Sequence, residues 1–144
     1  MSVSHKKAQK DLQLLSFEEA REWLNRQSAS LQIKGHPTLV HFWSISSEAA
    51  KINLAQVAEL RDQRKREGVR VIAVHVPQSE AEKDRDAVRN AIARLNLTEP
   101  CALDNEHKLG NALLNGRDVV PVYCLFDIEG GLRMSSTALE KIED

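Results

Sequence analysis

The sequence contains little of what marks several specialised classes of protein. Cysteine occurs only twice among 144 residues, and no segment approaches the ~20 consecutive apolar residues that a membrane-spanning helix requires. Basic and acidic residues nearly cancel, with 20 against 21 and a formal net charge of -1. A chain so close to neutrality is not attracted non-specifically to nucleic acid or to an anionic membrane surface. We therefore expect neither nucleic acid nor a membrane as a partner.

The N-terminal stretch lacks the features of an export signal. Lys6, Lys7 and Lys10 make the start of the chain polar. The first fifteen residues do not contain the seven or more continuous apolar residues of a secretory signal peptide. We expect residues 1–15 to be a flexible tail and the protein to remain in the cytoplasm.

The residues that remain, 16–144, are the right number for one domain, which at this length removes ~70% of its unfolded surface from water. Their pattern centres on Thr38–Trp43, a β-branched, apolar and aromatic run that predicts a buried strand. Ala50, Leu54 and Val57 then recur at helical spacing. A strand that feeds a helix in this way is typical of an α/β fold, whose chemistry usually lies at the carboxyl ends of the strands.

Either Ser46 or Ser47 can cap this helix by accepting a hydrogen bond from a free amide of its first turn. Gly68 is suited to end the helix, because glycine readily adopts a left-handed conformation. The other predicted elements are a helix over Phe17–Arg26 capped by Ser16 and Glu19, a brief edge at Leu31 and Ile33, a strand over Val69–Val76, a helix over Glu80–Leu95, a strand at Cys101–Leu103, a helix from Asp104 or Asn105 to Leu114 ended by Asn115 and Gly116, a strand over Val119–Phe126 interrupted by Pro121, a hairpin strand at Leu132–Ser135, and about two helical turns within Thr137–Asp144.

Metal and hydrolytic chemistry are not indicated by any motif. The five histidines do not show a ligand spacing such as His-x-x-x-His, so we expect no metal and no cofactor. A serine hydrolase of the elbow type needs Gly-x-Ser-x-Gly, which the sequence does not contain. His41 and His75 fall inside predicted strands, where a packed imidazole is the usual outcome.

One segment resembles a known signature. Residues Phe42–Lys51 are similar to the Phe-Trp-x-x-x-Cys-x-x-Cys-Lys motif of thioredoxin-fold proteins, in particular the TlpA/ResA-like thiol-disulfide oxidoreductases, or redoxins. Ser47 stands at the first cysteine position and Ala50 at the second. The resemblance extends over about residues 16 to 136, and its further segments are Val71–Pro77, Asp104–Lys108, Val119–Asp127 and Gly130.

This resemblance implies a thioredoxin-like three-layer α/β sandwich, with a mixed sheet of about five strands and helices on both faces. The implied spatial order of the strands, by first residue, is 101, 71, 39, 122, 132. It also implies that the Val120–Pro121 peptide bond is cis and lies against Ser47 and Trp43. The residues expected to form the groove of this degenerate active site are Trp43, Ser46, Ser47, Glu48, Ala50, Val120 and Pro121.

The family's chemistry requires a thiolate, and a serine hydroxyl neither ionises near neutral pH nor forms a stable mixed disulfide. The leading interpretation is therefore a non-catalytic module that binds an extended peptide or a protein partner by main-chain pairing in the groove. The alternative is an oxidoreductase or antioxidant protein that works through a lone cysteine. Cys101, expected on an edge strand, and Cys124, three strands away, should be too far apart to bridge and should both be free and mostly buried.

Overall fold

The computed structural model describes residues 16–17, 20, 22–25, 33–114 and 120–139. Several predicted features lie outside these residues: the tail over residues 1–15, the capping role of Glu19, Leu31 of the predicted edge, the helix end at Asn115 and Gly116, and the C-terminal turns beyond Leu139. Ile33, the other residue of that predicted edge, is described and does not lie in a strand.

The described residues form one mixed β-sheet with helices on both faces. Its strands are β1 (Trp23–Leu24), β2 (Thr38–Trp43), β3 (Arg70–His75), β4 (Cys101–Leu103), β5 (Val122–Phe126) and β6 (Leu132–Ser136). They lie in the order β1-β4-β3-β2-β5-β6. Strands β2, β3 and β4 are parallel, whereas β1, β5 and β6 pair antiparallel to their neighbours. The implied order of the five expected strands is therefore confirmed.

Strand β1 is a feature that the sequence pattern did not predict. Trp23 and Leu24, placed in a helix by their pattern, pair instead with Ala102 and Cys101 of β4. The ring of Trp23 also packs edge to face on Phe17, with ring centroids 5.4 Å apart. The prediction was wrong here because pairing with the open side of β4 outweighs a weak local helical preference. As a result, β4 is an inner strand.

Four helices lie within the described residues and connect and cover the strands: α1 (Glu48–Ile52), α2 (Leu54–Arg64), α3 (Arg85–Leu95) and α4 (Lys108–Leu114). The single long helix predicted after β2 is divided at Asn53, whose side-chain amide donates to the Tyr123 hydroxyl at 2.9 Å. A 3-10 turn (Lys65–Glu67) continues α2 to Gly68, which has the predicted left-handed conformation with φ of 80°.

The second crossover helix is also shorter than predicted. Residues Glu80–Lys83 form a 3-10 turn, and α3 starts only after Asp84. The carboxylate of Asp84 accepts a hydrogen bond from the amide of Asp86 and so caps α3. The apolar stripe of the helix, at Val88, Ala91 and Ile92, is buried as expected.

Successive side chains of β2 point to opposite faces of the sheet, so they contribute to two separate parts of the core. Val40 and Phe42 face α4 with the cluster that contains Leu109 and Leu113. Trp43 packs on the opposite face with Ala50 and Leu54 and with the buried side of α3. The sheet is thus covered by α4 on one face and by α1, α2 and α3 on the other.

A buried ionic network ties α2 to the loop before β4. Glu99, only 4% exposed, accepts from His41 Nε2 at 2.6 Å and from Arg61 Nη1 at 2.7 Å. Burial by itself raises the pKa of Glu99, but its hydrogen bond and electrostatic attraction with His41, then a backbone hydrogen bond and the hydrogen bond from Arg61, lower that pKa to about 2. The network therefore joins β2, α2 and the approach to β4 through a carboxylate that stays ionised in the fold.

Glu99 should make the stability of the fold sensitive to acid. Its pKa is lower in the folded chain than the ordinary 4.5, so its contribution is present above pH 4.5 and is lost as the pH falls toward 2. We expect Glu99→Gln to be less stable than wild type at pH 5, and this difference to shrink by about 2 kcal/mol at pH 3. Urea unfolding at both pH values measures it. A difference that stays constant between the two pH values, as expected for the exposed control Glu80→Gln, would contradict this role.

Candidate functional site

The candidate site lies where β2 ends and α1 begins. Ser47 is the residue before α1, and its Oγ accepts a hydrogen bond from the amide of Ala50 at 3.2 Å. The same hydroxyl donates to the carbonyl oxygen of Val120 at 3.4 Å. The peptide bond between Val120 and Pro121 is cis. One hydroxyl thus joins the start of α1 to a loop that lies 73 residues further along the chain.

The residues expected to line a groove divide into a surface and a floor. Ser46 and Glu48 are exposed, while Ser47 and Val120 are half-buried. Trp43 and Ala50 are fully or almost fully buried, at 0% and 2% exposure, and Pro121 is buried as well. The accessible surface is therefore formed by the first group, and the second group supports it from below.

His75 is a supporting residue whose role at this site the sequence did not indicate. Its ring is fully buried and packs edge to face on Trp43, with ring centroids 4.9 Å apart. Its Nε2 accepts a hydrogen bond from the amide of Ile45 at 3.3 Å. Burial lowers the pKa of His75 to about 4, although the charge of Glu82 acts in the opposite direction. The general expectation of a packed imidazole is confirmed, and only the register of β2 on β3 reveals that it lies beneath the site.

The two cysteines are free and buried, as expected. Burial raises the pKa of the Cys101 thiol to about 12, although the Trp43 indole acts in the opposite direction. The expectation that Cys101 lies on an edge strand was wrong, because β1 covers that side of β4. Cys124 Sγ is 3.8 Å from the hydroxyl of Ser135 on the neighbouring strand. Neither thiol belongs to the surface around Ser47.

The described part of the chain contains neither a cluster of metal-ligating side chains nor a membrane-spanning helix. Within it, no three potential metal-ligating side chains come together in a cluster. None of the helices described there has the length and apolar character needed to cross a membrane.

Comparison with known proteins gives the same picture of fold and family. No protein-family model matches the chain. It is 39% identical over 114 residues to the thiol-disulfide oxidoreductase YkuV of Bacillus subtilis. This alignment covers 78% of the present chain and 75% of YkuV. The solution structure of a thioredoxin-like protein in its oxidised form superposes with a TM-score of 0.75 at 36% identity, over 92% of this chain and 91% of that one.

More distant structures share the fold. StoA from Bacillus subtilis has a TM-score of 0.63 at 22% identity, over 76% of this chain and 81% of its own. A thiol-disulfide isomerase from Corynebacterium glutamicum has a TM-score of 0.71 at 17% identity, over 88% and 86%. The fold is thus that of the thioredoxin-like proteins. Within this class, the chain belongs to the TlpA/ResA-like thiol-disulfide oxidoreductase family.

Ser47 should contribute measurably to stability through its cap. Replacing it with alanine removes the acceptor for the Ala50 amide and the donor to Val120, and a lost helix cap typically costs about 1 kcal/mol. We expect Ser47→Ala to lower the free energy of unfolding by about this amount, as measured by urea unfolding followed by circular dichroism. Ser46→Ala, a change at the exposed neighbouring serine, is the matched control and should have little effect. Equal losses for the two variants would show that the cap is not important.

Proposed function

We propose that this chain is a thioredoxin-fold protein without a redox-active dithiol, which binds an extended polypeptide in the groove formed by Ser46, Ser47, Glu48 and Val120. The observation that carries this proposal is the position of Ser47. Its hydroxyl lies between the amide of Ala50 and the carbonyl of Val120, which is where the family resemblance places the first cysteine of the motif.

A hydroxyl and a methyl group at these positions do not support dithiol exchange. The reaction needs a thiolate that attacks a disulfide and a second thiol that resolves the mixed disulfide. The Ser47 hydroxyl does not form a stable bond to sulfur, and the Ala50 side chain offers no nucleophile. What Ser47 does provide is a structural connection between α1 and the loop that contains Pro121.

Catalysis through a lone cysteine is less well supported. The reactive form of a cysteine is the thiolate, and reactive cysteines are partly exposed with a lowered pKa. Cys101 has the opposite properties, since it is fully buried and burial raises its pKa to about 12. Cys124 is also fully buried. An oxidant or a disulfide substrate would have to enter the core to reach either sulfur.

Two exposed side chains of α1 near Ser47 support this proposal. Glu48 and Ile52 are four residues apart on α1 and therefore project from the same face of this helix. The Glu48 side chain is 80% exposed, and Ile52 is 73% exposed. In this proposal an extended chain pairs through its main chain beside Val120 and extends over this face of α1, and such pairing requires no thiol.

Binding should be detectable with a polypeptide that carries no reactive sulfur. We expect carboxymethylated insulin B chain, added at pH 7 to the 15N-labelled protein, to shift the amide resonances of Ser46, Ser47 and Glu48. Ser46→Trp, which places a large side chain at the exposed mouth of the groove, should weaken this binding at least tenfold.

The control is Gln56→Trp, which also introduces a tryptophan but at an exposed position of α2, and it should leave the affinity unchanged. Equal affinities for the two variants, or resonance shifts confined to other surfaces, would contradict binding in this groove.

A further inference from the structure

Beneath the candidate site, the Nε2 atom of His75 has two neighbours that require opposite protonation states of this nitrogen. His75 Nε2 accepts a hydrogen bond from the amide of Ile45 at 3.3 Å. The same atom lies 3.6 Å from Oε1 of Glu82. Among the described residues, that carboxylate oxygen has no hydrogen-bond partner, and the same is true of His75 Nδ1.

The two contacts of Nε2 exclude each other. The Ile45 amide is a donor, so it needs a lone pair on Nε2, and the ring proton of a neutral His75 must then reside on Nδ1. Glu82 is an acceptor when ionised, so it would instead need a proton on Nε2. The structure shows the first arrangement. The second arrangement requires Nε2 to be protonated and the Ile45 amide to be released.

The Ile45 amide is part of the turn that sets the position of Ser47. This turn is closed by a hydrogen bond from the amide of Ser47 to the carbonyl of Ser44 at 3.2 Å, and α1 begins at the next residue. The His75 imidazole thus supports, from below, the same short segment whose upper side forms the groove. A change at Nε2 reaches Ser47 through two residues of backbone.

Of the groups described around His75, Glu82 is the one that can pair with a positively charged ring. The adjacent strand β2 contributes Trp43, which does not titrate, and β4 contributes Cys101, whose thiol has a pKa of about 12 and stays neutral. Asp104, after β4, is occupied by the amides of Leu109 and Gly110 at 2.9 and 2.7 Å. Burial keeps His75 neutral near pH 7, since it lowers the pKa of the ring to about 4.

We propose that His75 is a proton-controlled switch beneath the candidate site: when Nε2 takes up a proton from solvent, it no longer accepts from the Ile45 amide and donates instead to the Glu82 carboxylate, which releases the Ile45 amide inside the Ser44–Ser47 turn. Both ring nitrogens then carry hydrogen, and the imidazolium is paired with a carboxylate. The meaning of this change for ligand binding rests on the proposed function, whereas the switch itself can be measured without any peptide.

Nuclear magnetic resonance tests the switch directly in the full chain. The 15N shifts of the His75 ring should show a neutral imidazole with its proton on Nδ1 at pH 7, and protonation with a midpoint near pH 4. The Ile45 and Ser47 amide resonances should move with the same midpoint. A proton already on Nε2 at pH 7, or an Ile45 amide that stays unchanged while His75 titrates, would overturn the inference.

A pair of variants separates this switch from general acid effects. Glu82→Gln removes the charge that favours the imidazolium, so the midpoint of both His75 and Ile45 should fall by about 1 pH unit. Glu80→Gln is the matched control on the same 3-10 turn, because the Glu80 side chain is 89% exposed, and it should leave the midpoint unchanged. Equal midpoints for wild type and Glu82→Gln would overturn the exchange between Ile45 and Glu82. A failure of insulin B chain to bind at pH 7 would contradict only the proposed function, since these titrations contain no peptide.

Discussion

The pairing of β2 on both sides is the constraint on which the rest of the structure depends. All six residues of β2 are buried, and the strand pairs along its whole length with β3 and along most of it with β5. Because β2 is parallel to β3 and β4, the carboxyl ends of the three strands lie at the same edge of the sheet. The start of α1, which follows β2, lies at that edge. The same register places His75 beside Trp43 and the Val120–Pro121 loop across from Ser47. The position of the candidate site is thus a consequence of how the central strands are held.

Much of this arrangement could be predicted from the sequence, because the signals were local. The β-branched and apolar runs predicted β2 and β3, Ser47 was one of two predicted caps for the helix that follows, and Gly68 was expected at its end. The two-residue strand β1 could not be predicted in this way, since Trp23 and Leu24 form a strand only because β4 offers them a free edge. The division of the first long helix at Asn53 likewise depends on a distant hydroxyl, that of Tyr123. The position of His75 beneath the candidate site needed the pairing of β3 with β2, which no local pattern contains.

The fold of this chain and the chemistry of its family depend on different features. Membership of the family rests on similarity to relatives over most of the chain. The family's thiol chemistry, however, depends on a few atoms at the start of α1. At that place the chain has a hydroxyl that serves as a cap and a buried methyl group. Its two cysteine thiols are in the core, one on β4 and one on β5, and burial raises the pKa of the Cys101 thiol. In our account the scaffold therefore retains the shape of an exchange site, and its side chains serve structure and binding.

Introducing two cysteines at the start of α1 is the most direct test of this account. With dithiothreitol as the reductant, the reduction of insulin disulfides should proceed no faster with the wild-type chain than without protein. The double variant Ser47→Cys with Ala50→Cys should accelerate it, because the scaffold would again present two thiols at the start of a helix. Acceleration by the wild-type chain that disappears on changing Cys101 or Cys124 to alanine would contradict the account, and so would a folded double variant that remains inactive.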